Sequence, residues 1–436
     1  MANWKALADK VNTWETITAY GLVSRITGLL VEADGPRVSV GKYCRILSSQ
    51  RGVPAEVVGF KGTKTLLMPL GDLDGVAPGD KVLPLKESLT VPVDHSLLGR
   101  VLDGLGQPLD GKPLHTKEAY PLHNNPPSAL FRPRITEPLY VGVRAIDGLL
   151  TLGRGQRMGI FAGSGVGKST LLGMMARNTE ADVNVIALVG ERGRELRDFM
   201  EKDLGEEGLK RSVIVVATSD QPALIRLKAA FTATAIAEYF RDNGKNVLFM
   251  MDSVTRFAMA QREIGLTIGE PPATRGYPPS VFALLPKLLE RAGMSEKGSI
   301  TGIYSVLVDG DDHNEPIADA VRGILDGHIV LSRDIAAQNH YPAIDVLKSV
   351  SRVMHDVASP AIQALAGKMR EYLAVYQNAK DLIDIGAYVD GSNPRIDEAK
   401  AHIEKINAFL CQEIEEKFSF EEMQEQMQSV FSEVNN

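Results

Sequence analysis

The sequence between residues 157 and 177 constrains the fold of this chain more than any other segment. A mainly apolar run, Arg157–Ala162, has the character of a buried strand and leads directly into Gly-Ser-Gly-Val-Gly-Lys-Ser-Thr. A helical pattern over residues 169–177 follows. Apart from Ala162, which stands where the pattern has its first glycine, the segment matches the phosphate-binding pattern G-x-x-x-x-G-K-[ST]. A strand–loop–helix unit of this kind predicts an α/β fold with a parallel sheet.

The loop predicts a site for the phosphates of a nucleotide. Its glycines allow the backbone to wrap around an anion with N–H groups directed at it, and the helix N-terminus favours negative charge there. Lys168 would reach the β- and γ-phosphates, and the Ser169 hydroxyl would be a ligand of Mg²⁺. The strand before the loop and the helix after it argue against a mere glycine-rich turn with an exposed lysine. The residues predicted to bind the nucleotide are Gly163, Ser164, Gly165, Val166, Gly167, Lys168, Ser169 and Thr170.

Two further strand candidates are followed by carboxylates that would lie at the same edge of the sheet. Residues 246–251 are apolar and end at Asp252, which is predicted to hold Mg²⁺ together with Ser169. The strand candidate Val183–Val189 is followed by Glu191, which is predicted to be the catalytic base, and by Arg192, which would bind phosphate or orient Glu191. Without the phosphate loop nearby, this pair would be interpreted as the solvated, salt-bridged start of a helix.

The remaining sequence predicts four stretches. Residues 1–18 are predicted to form an amphipathic helix with two tryptophans on one stripe, suited to packing on the next domain or to docking on a partner. Short alternating segments separated by glycine and aspartate turns predict an antiparallel β-barrel over residues 19–90. Residues 91–353 read as a proline-rich connector and an ATPase domain with alternating strands and helices. Residues 354–436, rich in Ala, Glu, Gln, Lys and Met, predict a helical domain.

The composition excludes several classes of protein. The net charge is −7, which gives no general attraction to nucleic acid. No apolar run approaches the roughly 18 residues of a membrane span. The two cysteines, Cys44 and Cys411, form neither a disulfide framework nor a zinc motif. A reducing, cytoplasmic environment is therefore expected, and no signal peptide is expected at the N-terminus.

Several segments resemble a known family. The sequence Pro-Ala-Ile-Asp-Val-Leu-Lys-Ser-Val-Ser at 342–351 resembles the signature of the rotary ATP synthase α/β family, and the phosphate loop and Gly-Glu-Arg at 190–192 match it in the same order. Within that family, residues 269–280, Gly-Glu-Pro-Pro-Ala-Thr-Arg-Gly-Tyr-Pro-Pro-Ser, resemble the type III secretion ATPases. So do residues 144–149, 190–195 and 252–256. Residues 176–179 and the N-terminal helix resemble the flagellar member more than the virulence injectisome.

The resemblance implies a RecA-like P-loop NTPase core with an N-terminal β-barrel and a C-terminal helical domain. It implies a homohexameric ring in which Arg352 is the arginine finger that reaches the neighbour's phosphate. Tyr341 corresponds to the aromatic residue that stacks on adenine, and Phe420 is a candidate for a second one. Ala162 departs from the rotary catalytic subunit but is usual in the secretion branch, and the glycines that face the phosphates remain.

The activity implied is Mg²⁺-dependent ATP hydrolysis that energises flagellar protein export. The implied partners are a stator-like regulator on the N-terminal helix, and a stalk-like subunit, export chaperones and substrates on the helical domain. The protein would then lie peripherally at the inner face of the cytoplasmic membrane, beside the export gate, with no nucleic acid bound.

Four alternatives remain at this point. The nearest is a virulence-type injectisome ATPase. A rotary ATP synthase subunit is disfavoured by the secretion-type sequence at 269–277. A hexameric RNA helicase would need stacking aromatics in the barrel, where only Tyr20, Tyr43 and Phe60 occur. A non-catalytic scaffold is disfavoured by the intact Lys168, Glu191 and Asp252.

Overall fold

The chain is described from a computed structural model over residues 19–49, 51–85, 88–116, 118–308 and 315–432. The predicted N-terminal helix lies outside the described residues. The chain forms two compact units. The first contains the N-terminal barrel and two short later segments, Pro222–Ile225 and Glu263–Pro271. The second contains the other residues from Thr90 onward.

Described residues of the first unit form a closed antiparallel barrel in the order β1-β2-β5-β4-β3-β6. The strands are β1 Gly21–Thr27, β2 Leu30–Asp34, β3 Tyr43–Leu47, β4 Gly52–Lys61, β5 Lys64–Pro69 and β6 Lys81–Pro84. Alternating residues point inward, as expected for strands that have one face on a core. The barrel interior is filled by Val23, Val31, Ala33, Cys44, Ile46, Val53, Ala55, Val57, Leu67 and Val82.

The second unit contains a large, mainly parallel sheet. In the described part of the chain its order is β19-β18-β12-β17-β15-β13-β14-β8, with β16 paired to β17. Its strands are β8 Val101–Asp103, β12 Arg157–Ala162, β13 Val183–Val189, β14 Ser212–Ala217, β15 Asn246–Asp252, β16 Gly293–Met294, β17 Ser299–Leu307, β18 Gly327–Leu331 and β19 Val350–Ser351. Two smaller ribbons pair β7 Thr90–Val93 with β9 Glu118–Pro121, and β10 Pro138–Leu139 with β11 Leu152–Gly153.

Helices connect the strands of this sheet. They are α1 Arg144–Leu149, α2 Lys168–Asn178, α3 Gly193–Asp198, α4 Gly205–Lys210, α5 Ala223–Asp242, α6 Val254–Thr267, α7 Pro279–Leu289, α8 Pro316–Ile324 and α9 Arg333–Ala337. A π-helical turn, Phe199–Leu204, joins α3 to α4, and 3₁₀ turns occur at His95–Leu97 and Thr274–Gly276. The central strands are buried along their whole length, which explains their unbroken apolar sequences.

The C-terminal residues are helical. The helices are α10 Met354–Val357, α11 Pro360–Asp384, α12 Pro394–Leu410 and α13 Phe420–Ser429. Each long helix has a local signal at its start: proline in the first turn of α11 and α12, and a capping box between Ser419 and Glu422 in α13. Their apolar residues share one core with α1 and the sheet, including Met369, Phe409 and Met423.

These observations confirm the predicted fold class: an α/β nucleotide-binding core preceded by a barrel and followed by helices. Within the described ranges, no helix has the length and apolar character needed to cross a bilayer.

Candidate active site

The phosphate loop joins β12 to α2 and opens onto a cavity. Gly165 and Gly167 have φ angles of +79° and +86°, a left-handed conformation that side-chain-bearing residues rarely adopt. α2 begins at Lys168, so its free N–H groups face the loop. The cavity has a volume of about 420 Å³ and contains most of the predicted phosphate-binding residues, namely Gly163, Ser164, Gly165, Gly167, Lys168, Ser169 and Thr170. Val166 is buried beneath it.

Two predicted catalytic groups, Lys168 and Glu191, lie at this cavity, and the predicted Mg²⁺ ligand Asp252 lies beside them. The Lys168 ammonium donates a hydrogen bond to the Asp252 carboxylate, and its Nζ lies 4.0 Å from Oε1 of Glu191. All three side chains are mostly buried. The sheet order explains the arrangement, since β12, β15 and β13 are parallel and end at one edge. Ser305 lies on β17, between β12 and β15, and donates a 2.6 Å hydrogen bond to Asp252. The sequence did not predict this contact.

Glu191 has the electrostatics expected of a general base. Burial, assisted by the nearby charge of Asp252, raises the pKa of its carboxyl to about 7, although the Lys168 ammonium acts in the opposite direction. A base whose pKa lies near the working pH can accept a proton and still be partly ionised. The site therefore keeps this carboxyl close to its titration point at neutral pH.

The donor set fits Mg²⁺. Ser169 lines the cavity, and the Asp252 carboxylate accepts a hydrogen bond from Lys168. Hard oxygen ligands of this kind suit Mg²⁺, which commonly takes one or two protein oxygens and completes its shell with phosphates and water. Among the described residues there is no group of three or more His, Cys, Asp or Glu that would hold a metal by itself. The residues thus match an ion that is bound together with the nucleotide.

Two arginines lie at the same cavity. Arg192 is at the rim, with its side chain 79% exposed and its guanidinium 3.7 Å from Glu195. Arg256, in the first turn of α6, is half-buried, and its Nε is buried with no hydrogen-bond partner. Gly190 allows this approach, because a Cβ there would lie 2.9 Å from the Arg256 side chain. Arg256 was not assigned a role from sequence, although it ends the segment 252–256 that resembles the type III secretion ATPases.

A second cavity, which we call the base cleft, adjoins the phosphate loop. It also measures about 420 Å³ and shares Gly167 and Thr170 with the first cavity. The Tyr341 ring lies on one side, with a ring carbon 3.7 Å from the position of a Cβ on Gly167. Cys411 and Ile414 belong to the opposite wall, a loop between α12 and α13. A partly apolar cavity with an aromatic ring beside a phosphate site is suited to a nucleotide base.

The sequence matches three family models. The ATP synthase alpha/beta family nucleotide-binding domain covers residues 142–351, and the β-barrel domain of the same family covers residues 23–86. The C-terminal domain of the T3SS EscN ATPase covers residues 358–429. A flagellum-specific ATP synthase of Bacillus subtilis is 58% identical over 96% of this chain and 96% of the relative. The chain belongs to the ATP synthase alpha/beta family.

Within the ATP synthase alpha/beta family, the similarity is to the export branch. A type 3 secretion system ATPase of Xanthomonas euvesicatoria is 52% identical over 94% of each chain. The structure of the assembled ATPase EscN from the type III secretion system of enteropathogenic E. coli superposes with a TM-score of 0.90 and 47% identity, over 94% of this chain and 99% of EscN. The resemblance inferred from the sequence is confirmed: the chain is an ATPase of the flagellar and type III secretion kind.

Phe420 does not line the base cleft of this family member. It is the first residue of α13, and its ring stacks on Tyr140 with 4.4 Å between the centroids. The wall opposite Tyr341 is instead made by the loop that contains Ile414. The sequence pattern did not indicate the path of this irregular loop, so it did not reveal which of its apolar residues lines the base cleft.

Arg352 lies outside both cavities of its own chain. It follows β19 at the edge of the sheet and is exposed, and within the described part of the chain its guanidinium makes a long 3.5 Å contact between Nη2 and the Arg322 carbonyl. The Arg352 guanidinium is therefore exposed at the surface and does not reach the phosphate loop of its own chain.

Proposed function

We propose that this chain hydrolyses Mg²⁺-ATP to energise protein export by the flagellar type III apparatus. The observation that carries the proposal is the cluster of Lys168, Glu191 and Asp252 beneath the phosphate loop, in a chain 58% identical to a flagellum-specific relative. An ATP-dependent export motor needs this chemistry, and a scaffold that only binds nucleotide would not need a carboxyl with a raised pKa beside the phosphates.

The residues divide the reaction between them. The loop N–H groups and Lys168 hold the β- and γ-phosphates, and Arg256 contributes a further positive charge from the cavity wall. Glu191 orients the attacking water and accepts its proton. Ser169 and Asp252 hold Mg²⁺, which supplies charge neutralisation at the phosphate oxygens. Tyr341 stacks on the adenine ring in the base cleft.

The site is completed by a second copy of the chain. The exposed Arg352 would reach the nucleotide of the adjacent subunit and offset charge on the transferred phosphoryl group, as arginine fingers do. Arg192, exposed at the cavity rim, would assist there or orient Glu191. We infer a homohexameric ring, which is supported by the similarity to the assembled ATPase EscN.

The partners are assigned to different parts of the chain. Residues 1–18 would bind a stator-like regulator. The helices α11 and α12 would contact a stalk-like subunit, export chaperones and substrates. Exposed apolar residues lie at the end of α11 and in the connection after it, namely Leu382, Ile385 and Val389. A matching structure of EscN is described as a complex with its central stalk EscO. The ring would then lie peripherally at the inner face of the cytoplasmic membrane, beside the export gate.

A virulence-type injectisome ATPase is the second candidate, since relatives from both systems exceed 50% identity. The test is to replace the chromosomal copy with Glu191→Gln and to assay motility, secreted hook and filament proteins, and other secreted proteins. Loss of motility and of filament secretion, with other secretion intact, supports the flagellar role. Normal motility with loss of a different set of secreted proteins contradicts it. A Glu201→Gln strain controls for the replacement, because Glu201 is an exposed residue paired with Arg197.

A further inference from the structure

The base cleft has a wall without regular secondary structure beside the irregular segment that carries Tyr341. This wall is the loop of residues 411–416, which follows α12 and which we call the base-cleft loop. An irregular loop must be ordered by contacts from outside if it is to present a defined surface to a ligand. Two buried polar residues, Arg144 and Gln412, make several of those contacts, with exposed fractions of 7% and 6%; Arg177 of α2 makes another, a 2.8 Å hydrogen bond to the Ile414 carbonyl.

Arg144 holds the loop from the start of α1. Its guanidinium donates to the Cys411 carbonyl and to both carboxylate oxygens of Glu416, with 3.0 Å between Nη2 and Oε2. It also lies 5.9 Å from the Phe418 ring centroid and donates a 3.2 Å hydrogen bond to Gln426. A forked, charge-assisted pair of this kind fixes direction as well as distance. Arg144 therefore fixes both ends of the loop while lying outside the base cleft.

Gln412 links the same loop to the opposite wall. Its backbone N–H donates to the Tyr341 carbonyl at 2.9 Å. Its side-chain amide donates to the Gly142 carbonyl and accepts from the Arg144 N–H, each at 2.9 Å. Hydrogen bonds of Gln412 thus connect the base-cleft loop both to the segment that carries Tyr341 and to residues 142–144.

We propose that Arg144, acting through Glu416 and Gln412, is a positioning residue that sets the affinity for the nucleotide base. The network keeps the base-cleft loop in its binding conformation, so that the nucleotide does not have to order it. Among the described residues, Arg144, Gln412 and Glu416 make no hydrogen bond to residues 163–170, so we expect phosphate binding to depend little on this network. This inference rests on the assignment of the base cleft under the proposed function.

The test compares two ligands that differ in the base. ATP and inorganic tripolyphosphate, which has neither base nor ribose, are titrated calorimetrically with Mg²⁺ into wild type, Arg144→Lys and Tyr341→Ala. Lysine keeps the charge of arginine but cannot form the fork to Glu416. We expect Arg144→Lys to weaken ATP binding about tenfold, because one ordered loop side chain is worth roughly a factor of ten in affinity. The affinity for tripolyphosphate should change by no more than about twofold, and kcat at saturating ATP should change little.

The outcomes separate the network from the base cleft itself. Unchanged ATP binding in Arg144→Lys, or an equal loss for both ligands, overturns the positioning role. If Tyr341→Ala also leaves ATP binding unchanged, the base cleft was assigned wrongly. If only Tyr341→Ala weakens ATP binding, the proposed function stands and the network does not. Arg100→Lys is the matched control, because it breaks a forked pair with Asp110 outside both cavities. Glu416→Asp provides the same comparison if Arg144→Lys does not fold.

Discussion

The Nζ atom of Lys168 lies 4.0 Å from Oε1 of Glu191 and also donates a hydrogen bond to Asp252. One cation thus serves two carboxylates that would otherwise repel each other in a poorly solvated site. When a nucleotide binds, the same ammonium is close enough to the loop to contact its phosphates, which leaves Glu191 without part of its charge compensation. Phosphate binding is therefore expected to change the electrostatic surroundings of Glu191, the general base.

Glu191→Gln is expected to abolish turnover while keeping ATP binding. The amide has the shape of the carboxyl but cannot accept a proton, and loss of a general base typically costs about 10²- to 10⁴-fold in rate. The measurements are Mg²⁺-ATPase activity and calorimetric binding of ATP. Glu201→Gln, on the exposed surface beyond α3, should behave as wild type. A Glu191→Gln protein that retains turnover would refute the role of this residue.

The pH dependence should follow the ionisation of Glu191. Because its pKa is raised to about 7 and the ionised form is the active one, kcat/KM should rise with pH through the neutral range and level off above it. Glu195 contributes to the upward shift, so Glu195→Gln should move the rise to lower pH. Profiles recorded at saturating Mg²⁺ test both statements. A flat profile from acidic to neutral pH would contradict the first, and an unmoved midpoint the second.

The central fold follows from the sequence because its strands are buried on both faces. The apolar runs Val183–Val189 and Ser212–Ala217 have the same bounds in the sequence pattern and in the structure. The short strands Val101–Asp103 and Gly327–Leu331 were not predicted. A strand of a few residues in a loop-rich stretch has too little periodic pattern, and it becomes a strand only because a neighbour in the sheet pairs with it.

The candidate site divides in a similar way. Lys168, Glu191 and Asp252 could be placed together from sequence, since each follows a strand whose end lies at one edge of the sheet. Ser305, Arg256 and Ile414 were missed because their contributions depend on side-chain direction or on the path of a loop. Phe420 has the aromatic ring that an adenine contact needs, but α13 is oriented so that this ring stacks on Tyr140 instead.

Substitution of the two aromatics should separate their roles. Tyr341→Ala is expected to weaken ATP binding several-fold because it removes one face of the base cleft. Phe420→Leu should leave ATP binding unchanged and lower the melting temperature, because a stacked aromatic pair contributes about 0.5–1.5 kcal/mol beyond its buried area. Binding titrations and thermal melts of both variants provide the comparison. The reverse pattern would restore Phe420 to the nucleotide site.

The buried pair of Arg291 and Glu238 should be important for stability. Both side chains are almost inaccessible, and the guanidinium makes two hydrogen bonds to the carboxylate, at 2.8 and 2.6 Å. Glu238→Gln removes the negative charge that pairs with Arg291 and is expected to lower the free energy of unfolding by about 3–5 kcal/mol. Urea denaturation measures this. Glu371→Gln breaks the exposed pair with Arg395 and should have little effect; equal effects of the two substitutions would contradict the argument.

The central claim is that each ATP site combines Glu191 of one chain with Arg352 of another. Arg352→Ala alone should bind ATP but remain nearly inactive, since arginine fingers contribute about 10³- to 10⁵-fold. In wild type, activity per subunit should rise with protein concentration as the ring assembles. Arg395→Ala, an exposed arginine on α12, is the control for loss of a surface charge.

Mixing the two inactive variants is the most direct measurement. In a mixture of Glu191→Gln and Arg352→Ala proteins, some sites contain the intact glutamate of one chain and the intact arginine of its neighbour. The account predicts that the mixture regains Mg²⁺-ATPase activity that neither variant has alone. A mixture that stays as inactive as its components, or an Arg352→Ala protein with wild-type turnover, would contradict it.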